Sequence, residues 1–213
     1  MMFYFSSNDL VWFFVFVMFA NNLTFAKMKS KMESLMCEEI RGNRFECKFC
    51  DKQELDCTSR GIIDGLLTSD TFSLSNFVPN HTKIINLSGN ELTYLGVDYS
   101  EMWVDGLNKL VFSHNEINAI YASTFDGMSS LESLDLSYNQ INFLQSNVFE
   151  NLEKLQTLDL SHNLLPRIDG FWFQGTRELI RLNLGYNQIG INYIYRVFPN
   201  DPETFIYIYI SSN

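Results

Sequence analysis

Cysteine is absent before Cys37 and after Cys57; all four, Cys37, Cys47, Cys50 and Cys57, crowd into one short stretch. No disulfide can therefore brace the long remainder of the chain, which must hold itself together by packing. Histidine is equally scarce, with only His81, His114 and His162, and no histidine and acid are arranged to activate a serine nucleophile. Long apolar runs are missing too. The longest uninterrupted one, Leu10 to Ala20, is eleven residues, far short of the ~20 needed to span a bilayer, so no membrane span is expected. Positive charge is the last shortage. Residues 61–213 hold seven Lys or Arg against seventeen Asp or Glu, which argues against nucleic acid or heparin as the ligand of that part.

What is present begins with MMFYFSSNDLVWFFVFVMFANNLTFAK, whose short apolar run and Thr24-Phe25-Ala26 cleavage point have the shape of a secretory signal peptide over residues 1–26. Its early part departs from the pattern by carrying Asp9 and no Lys or Arg. With secretion, an even cysteine count argues for two disulfides in an oxidising compartment. A zinc site on Cys47-x-x-Cys50 would need a second close pair, and the spacings to Cys37 and Cys57 do not supply one. No metal and no cofactor is expected.

Self-similarity runs through the rest. LVFSHNEI, LDLSYNQI, LDLSHNLL and LNLGYNQI recur with asparagines at Asn115, Asn139, Asn163 and Asn187, 24 residues apart, and INLSGNEL puts Asn90 a further 25 residues upstream. Counting from each asparagine, apolar residues fall at −8, −5, −3, +2 and +5, as in Leu131, Leu134, Leu136, Ile141 and Leu144. Phe125, Phe149 and Phe173 repeat at +10. Alternation predicts a short strand at each repeat, with −5 and −3 pointing inward and −6, −4 and −2 outward. Each asparagine is expected to bond backbone groups of the adjoining coil, which a buried turn without ladder partners requires.

These copies resemble the extracellular leucine-rich repeat family, pattern LxxLxLxxNxLxxLxxxxFxxLxx, over about two thirds of the chain. The resemblance implies an α/β fold: a right-handed solenoid, or horseshoe, with a concave parallel β-sheet, each repeat burying its core only against its neighbours. The segment CEEIRGNRFECKFCDKQELDCTSRGI is similar to the amino-terminal cysteine cap of these proteins, and by that resemblance Cys37 pairs with Cys50 and Cys47 with Cys57. The expected organisation is a signal peptide at 1–26, a cap at 27–60, an entry segment at 61–81 and repeats at 82–213. If Asn213 is a sixth repeat asparagine, then Phe205, Ile208 and Ile210 fill −8, −5 and −3, and the closing FIYIYISSN is half a repeat. An open apolar edge there is expected to continue in a longer product or to self-associate.

The family resemblance implies a non-catalytic, secreted or extracellular protein that binds a protein ligand on its concave face. Receptor ectodomains of the Toll-like and Slit-like kind and small matrix proteoglycans are its alternatives. The outward positions nominate the ligand-binding residues: Lys109 and Arg181 at −6, Asp135 and Asp159 at −4, Tyr138 and Tyr186 at −1, and Tyr207 and Tyr209 on the sixth strand. Tyrosine and arginine are the side chains that most often anchor protein interfaces. Asp135 and Asp159 also match the common LDLS form, which reads as scaffold before general acid and base. His114 and His162, two repeats apart at −1, read as polar residues of an exposed turn. Sequons at Asn80 and Asn86 are expected glycan acceptors; that at Asn22 would leave with the signal peptide.

Overall fold

A computed structural model describes residues 47–50, 53–63, 81–95, 106–190 and 207–210, with the backbone alone at 37–39, 207 and 208. The expected signal peptide, most of the segment 27–46, Asn80 and the end of the chain after Ile210 lie outside the described residues. The chain forms two compact units, Met1–Glu38 and Glu39–Asn213, and the second carries the repeats.

Among the described residues there are twelve short strands: β1 (Cys37–Glu39), β2 (Lys48–Cys50), β3 (Glu54–Asp56), β4 (Ile84–Asn86), β5 (Tyr94–Leu95), β6 (Lys109–Val111), β7 (Ala119–Ile120), β8 (Ser133–Asp135), β9 (Phe143–Leu144), β10 (Thr157–Asp159), β11 (Arg181–Asn183) and β12 (Tyr207–Tyr209). In the second unit a long sheet runs β2-β3-β4-β6-β8-β10-β11-β12. It is parallel from β3 onward and antiparallel only between β2 and β3. From β4 on, each strand covers positions −6 to −4, and equivalent residues face one another without slippage: Leu110 with Leu134, Leu134 with Leu158, Leu158 with Leu182. The sixth strand forms in the expected register, Arg181 opposite Tyr207 and Leu182 opposite Ile208. The ladder also reaches back into the cysteine region, where Leu55 faces Ile85.

The inward set is buried as its spacing requires. Leu131, Leu134, Leu136, Ile141 and Leu144 all belong to one continuous core with their counterparts from the neighbouring coils. On the far side Phe125, Phe149 and Phe173 stack in a column, 5.8 Å and 6.2 Å between successive ring centroids. Among the described residues this side carries single 3-10 turns, Ala122–Phe125 and Gly170–Phe173, and no α-helix.

The asparagines close the turns. Asn139 Nδ2 donates to Leu136 O in its own coil and to Phe112 O in the preceding one, while its Oδ1 accepts from Ile117 N. Asn115, Asn163 and Asn187 repeat the pattern in their own coils. Side-chain amides thus supply the partners that the buried turn lacks.

A second, three-stranded sheet, β5-β7-β9, was not anticipated. It occupies positions +4 and +5 and stops where Pro166 takes the +3 place. In the preceding coils the +3 amide donates to the coil before, as Asn118 N to Thr93 O and Asn142 N to Asn118 O. Proline has no amide proton to continue this ladder. In that coil Trp172 Nε1 donates to Leu144 O instead.

Cys47 and Cys57 are bonded to each other, both buried against the first coil. Cys50 is also in a disulfide; the expected partner, Cys37, has its side chain outside the described residues. Replacing Cys47 and Cys57 together with alanine is expected to cost about 2–4 kcal/mol, read as a lower urea midpoint. An unchanged midpoint would mean that the first coil holds without the bridge.

Candidate functional site

Alternation on three-residue strands turns two side chains per coil outward, so the long sheet presents a −6 column and a −4 column to solvent. At −6 stand Lys109, Ser133, Thr157 and Arg181; at −4 stand Val111, Asp135, Asp159 and Asn183. A shallow cavity of about 450 Å³ lies over these strands, lined by Lys109, Asp135, Thr157, Asp159, Arg181 and Tyr209 among others. Five of the eight nominated residues therefore share one surface. The two cations stand three strand steps apart, about 14 Å, with the two carboxylates on adjacent strands between them and Tyr209 on the strand beyond Arg181.

The carboxylates have two tasks. Asp135 Oδ1 accepts from the Ser137 amide and hydroxyl at 2.9 and 2.7 Å, and Asp159 Oδ1 from Ser161 in the same way at 2.9 and 2.6 Å. These local bonds hold the strand exit, a turn that short polar side chains favour. Asn86 does the same for Ser88, and Asp56 for Thr58, so the scaffold role recurs along the column and is interrupted at Val111. Asp159 Oδ2 additionally accepts from Asn183 Nδ2 at 3.0 Å. Asp135 faces Val111 on its other side, and its Oδ2 has no hydrogen bond among the described residues.

Tyr138 and Tyr186 lie elsewhere, in the −1 column at the sheet's edge. There the structure shows more than the reading of His114 and His162 as separate polar turn residues. Each histidine stacks on a tyrosine: His114 on Tyr138 at 4.4 Å, Tyr138 on His162 at 4.0 Å and His162 on Tyr186 at 4.2 Å, with interplanar angles of 10°, 10° and 13°. The intervening tyrosine makes the two histidines members of one ribbon. The signal was available, since all four rings stand in one column at 24-residue spacing. Tyr209 is exposed, and the side chain of Tyr207 is not described. Asn86 is half-buried in β4, and no metal-holding cluster of His, Cys, Asp or Glu occurs among the described residues.

Residues 105–165, which contain β6 to β10, match the leucine rich repeat family model. The fold is that of a leucine-rich repeat solenoid. No curated protein matches this repeat protein, while many solved structures do. One is a TLR13 complex with the RNA ssRNA13, with 26% identity and a TM-score of 0.65, covering 83% of this chain and 23% of that one. The Toll–Spatzle complex of Drosophila has 22% identity and a TM-score of 0.52, covering 61% and 17%. Human 5T4, a trophoblast glycoprotein, has 21% identity and a TM-score of 0.52, covering 71% and 53%. The leucine-rich repeat chain thus spans about a quarter or less of the first two and about half of the third. Among the described residues no helix is long and apolar enough to cross a membrane.

Proposed function

We propose that this leucine-rich repeat protein is an extracellular, non-catalytic binding module that takes a protein ligand on its concave sheet. The observation that carries the reading is the cavity in which Lys109, Asp135, Asp159, Arg181 and Tyr209 converge. Cation, carboxylate pair and cation in succession complement a peptide segment with a basic residue at its centre and acidic residues to either side. The disulfide Cys47–Cys57 fits an oxidising compartment. A second reading, the amino-terminal part of a receptor ectodomain, is favoured by the likeness to TLR13 over 83% of this chain. The RNA of that complex does not transfer here, because a net charge of −10 opposes a polyanion.

Panning a displayed peptide library on the immobilised chain tests the ligand class. The expected enrichment is for a central Lys or Arg with acidic flanks, and binding should fall about tenfold to a hundredfold on the Asp135→Asn, Asp159→Asn double variant. That range corresponds to about 1.5–3 kcal/mol for a charge-assisted hydrogen bond. Retained affinity for the same peptides on the double variant would remove the concave cavity from the account.

A further inference from the structure

The stacked ribbon at the sheet's edge stops one step before its column does. The −1 position continues backward from His114 to Gly89 and then Ser59, linked by the same hydrogen-bond ladder: Ser59 N to Ser88 O, Gly89 N to Ser113 O, His114 N to Ser137 O and Tyr138 N to Ser161 O, at 2.9 to 3.1 Å. Gly89 therefore stands to His114 as His114 stands to Tyr138, without a slip in register. It carries no ring, so one face of the His114 imidazole is covered by Tyr138 and the other has no stacking partner among the described residues.

The backbone gives this column a reason to avoid large side chains. Its members adopt left-handed conformations, with φ between +53° and +56° at Ser59, His114, Tyr138, His162 and Tyr186 and +68° at Gly89. Glycine is the residue that such a conformation favours, and a bulky ring there is uncommon. Yet rings fill four successive steps and remain solvent-facing, Tyr138 47% and Tyr186 43% exposed. Strained backbone that presents exposed rings is a pattern found at recognition sites. At Gly89 a Cβ would lie 2.6 Å from Ser59 Oγ, so a ring of the chain's own there would first have to turn that hydroxyl aside. A ring arriving from outside needs no atom at that point.

We propose that the step over Gly89 is a slot for one planar aromatic side chain of a protein partner, which stacks on His114 and extends the ladder. Ser59 closes the floor of the slot and places a hydroxyl beside the incoming ring's edge. Stacking at about 4 Å, as within the ribbon, supplies the attraction. The slot is separate from the charged cavity, so its failure and the failure of the cavity are distinguishable.

The test follows the histidine ring C–H resonances of the full chain while N-acetyl-tryptophanamide is added. His162 is the internal reference, since Tyr138 and Tyr186 cover both its faces. The expected result is a saturable ring-current shift at His114 with none at His162. N-acetyl-leucinamide at equal concentration should produce neither. In the variant His114→Asn, which keeps a residue tolerant of the left-handed backbone, the probe's own line broadening should report binding about 2- to 12-fold weaker, the range one stacked pair commands. No saturable shift at His114, equal shifts at both histidines, or the same response to the leucine probe would overturn the slot.

Discussion

Asn139→Ala is expected to lower stability by about 3–5 kcal/mol. The side chain is buried and holds two coils at once, donating to Phe112 O, Leu136 O and Ser137 O and accepting from Ile117 N. Phe112 O and Leu136 O each keep a second partner, Asn115 Nδ2 and Asn163 Nδ2 respectively, so their loss is that of ordinary bonds, about 0.5–1.5 kcal/mol each. The Ile117 amide fares worse. Buried and deprived of its acceptor, it carries the desolvation cost of an unmade bond, about 1–3 kcal/mol. Gln140→Ala, one residue away and exposed, should change stability by no more than about 0.5 kcal/mol. Urea unfolding of the two variants makes the comparison, and equal midpoints would contradict the bonding assigned to Asn139.

Phe149→Ala should cost about as much, roughly 3–5 kcal/mol, for a different reason. Its ring is fully buried between Phe125 at 5.8 Å and Phe173 at 6.2 Å, so truncation opens a cavity bounded by two coils at once. A repeat array draws its stability from nearest-neighbour interfaces, and this one change weakens both interfaces of a coil. The loss should therefore appear as a broadened thermal transition as well as a lower midpoint. Phe171→Ala, at an exposed ring of the next coil, is the matched control and should leave both nearly unchanged. A sharp, unshifted transition for Phe149→Ala would mean that the far side of the coils is not a packed column.

These features differ in how openly the sequence displays them. The inward leucines, the asparagines and the phenylalanines were legible because each must recur at every coil for neighbours to pack, and a recurrence of 24 residues stands out against any background. The second sheet was not legible. It consists of two residues per coil held by backbone bonds alone, and its side chains differ from Tyr94 to Ala119 to Phe143. Its end at Pro166 could have been anticipated from the missing amide, but only once the ladder was known. The charged cavity was half legible, in that columns −6 and −4 named its residues while the dual use of Asp135 and Asp159 emerged from their bonds to Ser137 and Ser161. The aromatic ribbon is hidden when the two histidines alone are considered, because they stand two coils apart and meet only through the tyrosine between them. Left-handed backbone at every −1 residue aligns those rings face to face, a geometry that spacing alone does not reveal.

The two exposed surfaces of the solenoid make competing claims on a partner, and site-specific photo-crosslinking separates them. A benzophenone side chain placed at Thr157 lies in the concave cavity; one placed at Phe143 lies on the second sheet beside Tyr121, an exposed aromatic pair. Each variant is incubated with a mixture of secreted proteins and irradiated. Binding on the concave sheet should give discrete protein adducts from position 157, diminished when Arg181→Glu is added, and none from position 143. Adducts from position 143 with none from position 157 would contradict binding on the concave sheet.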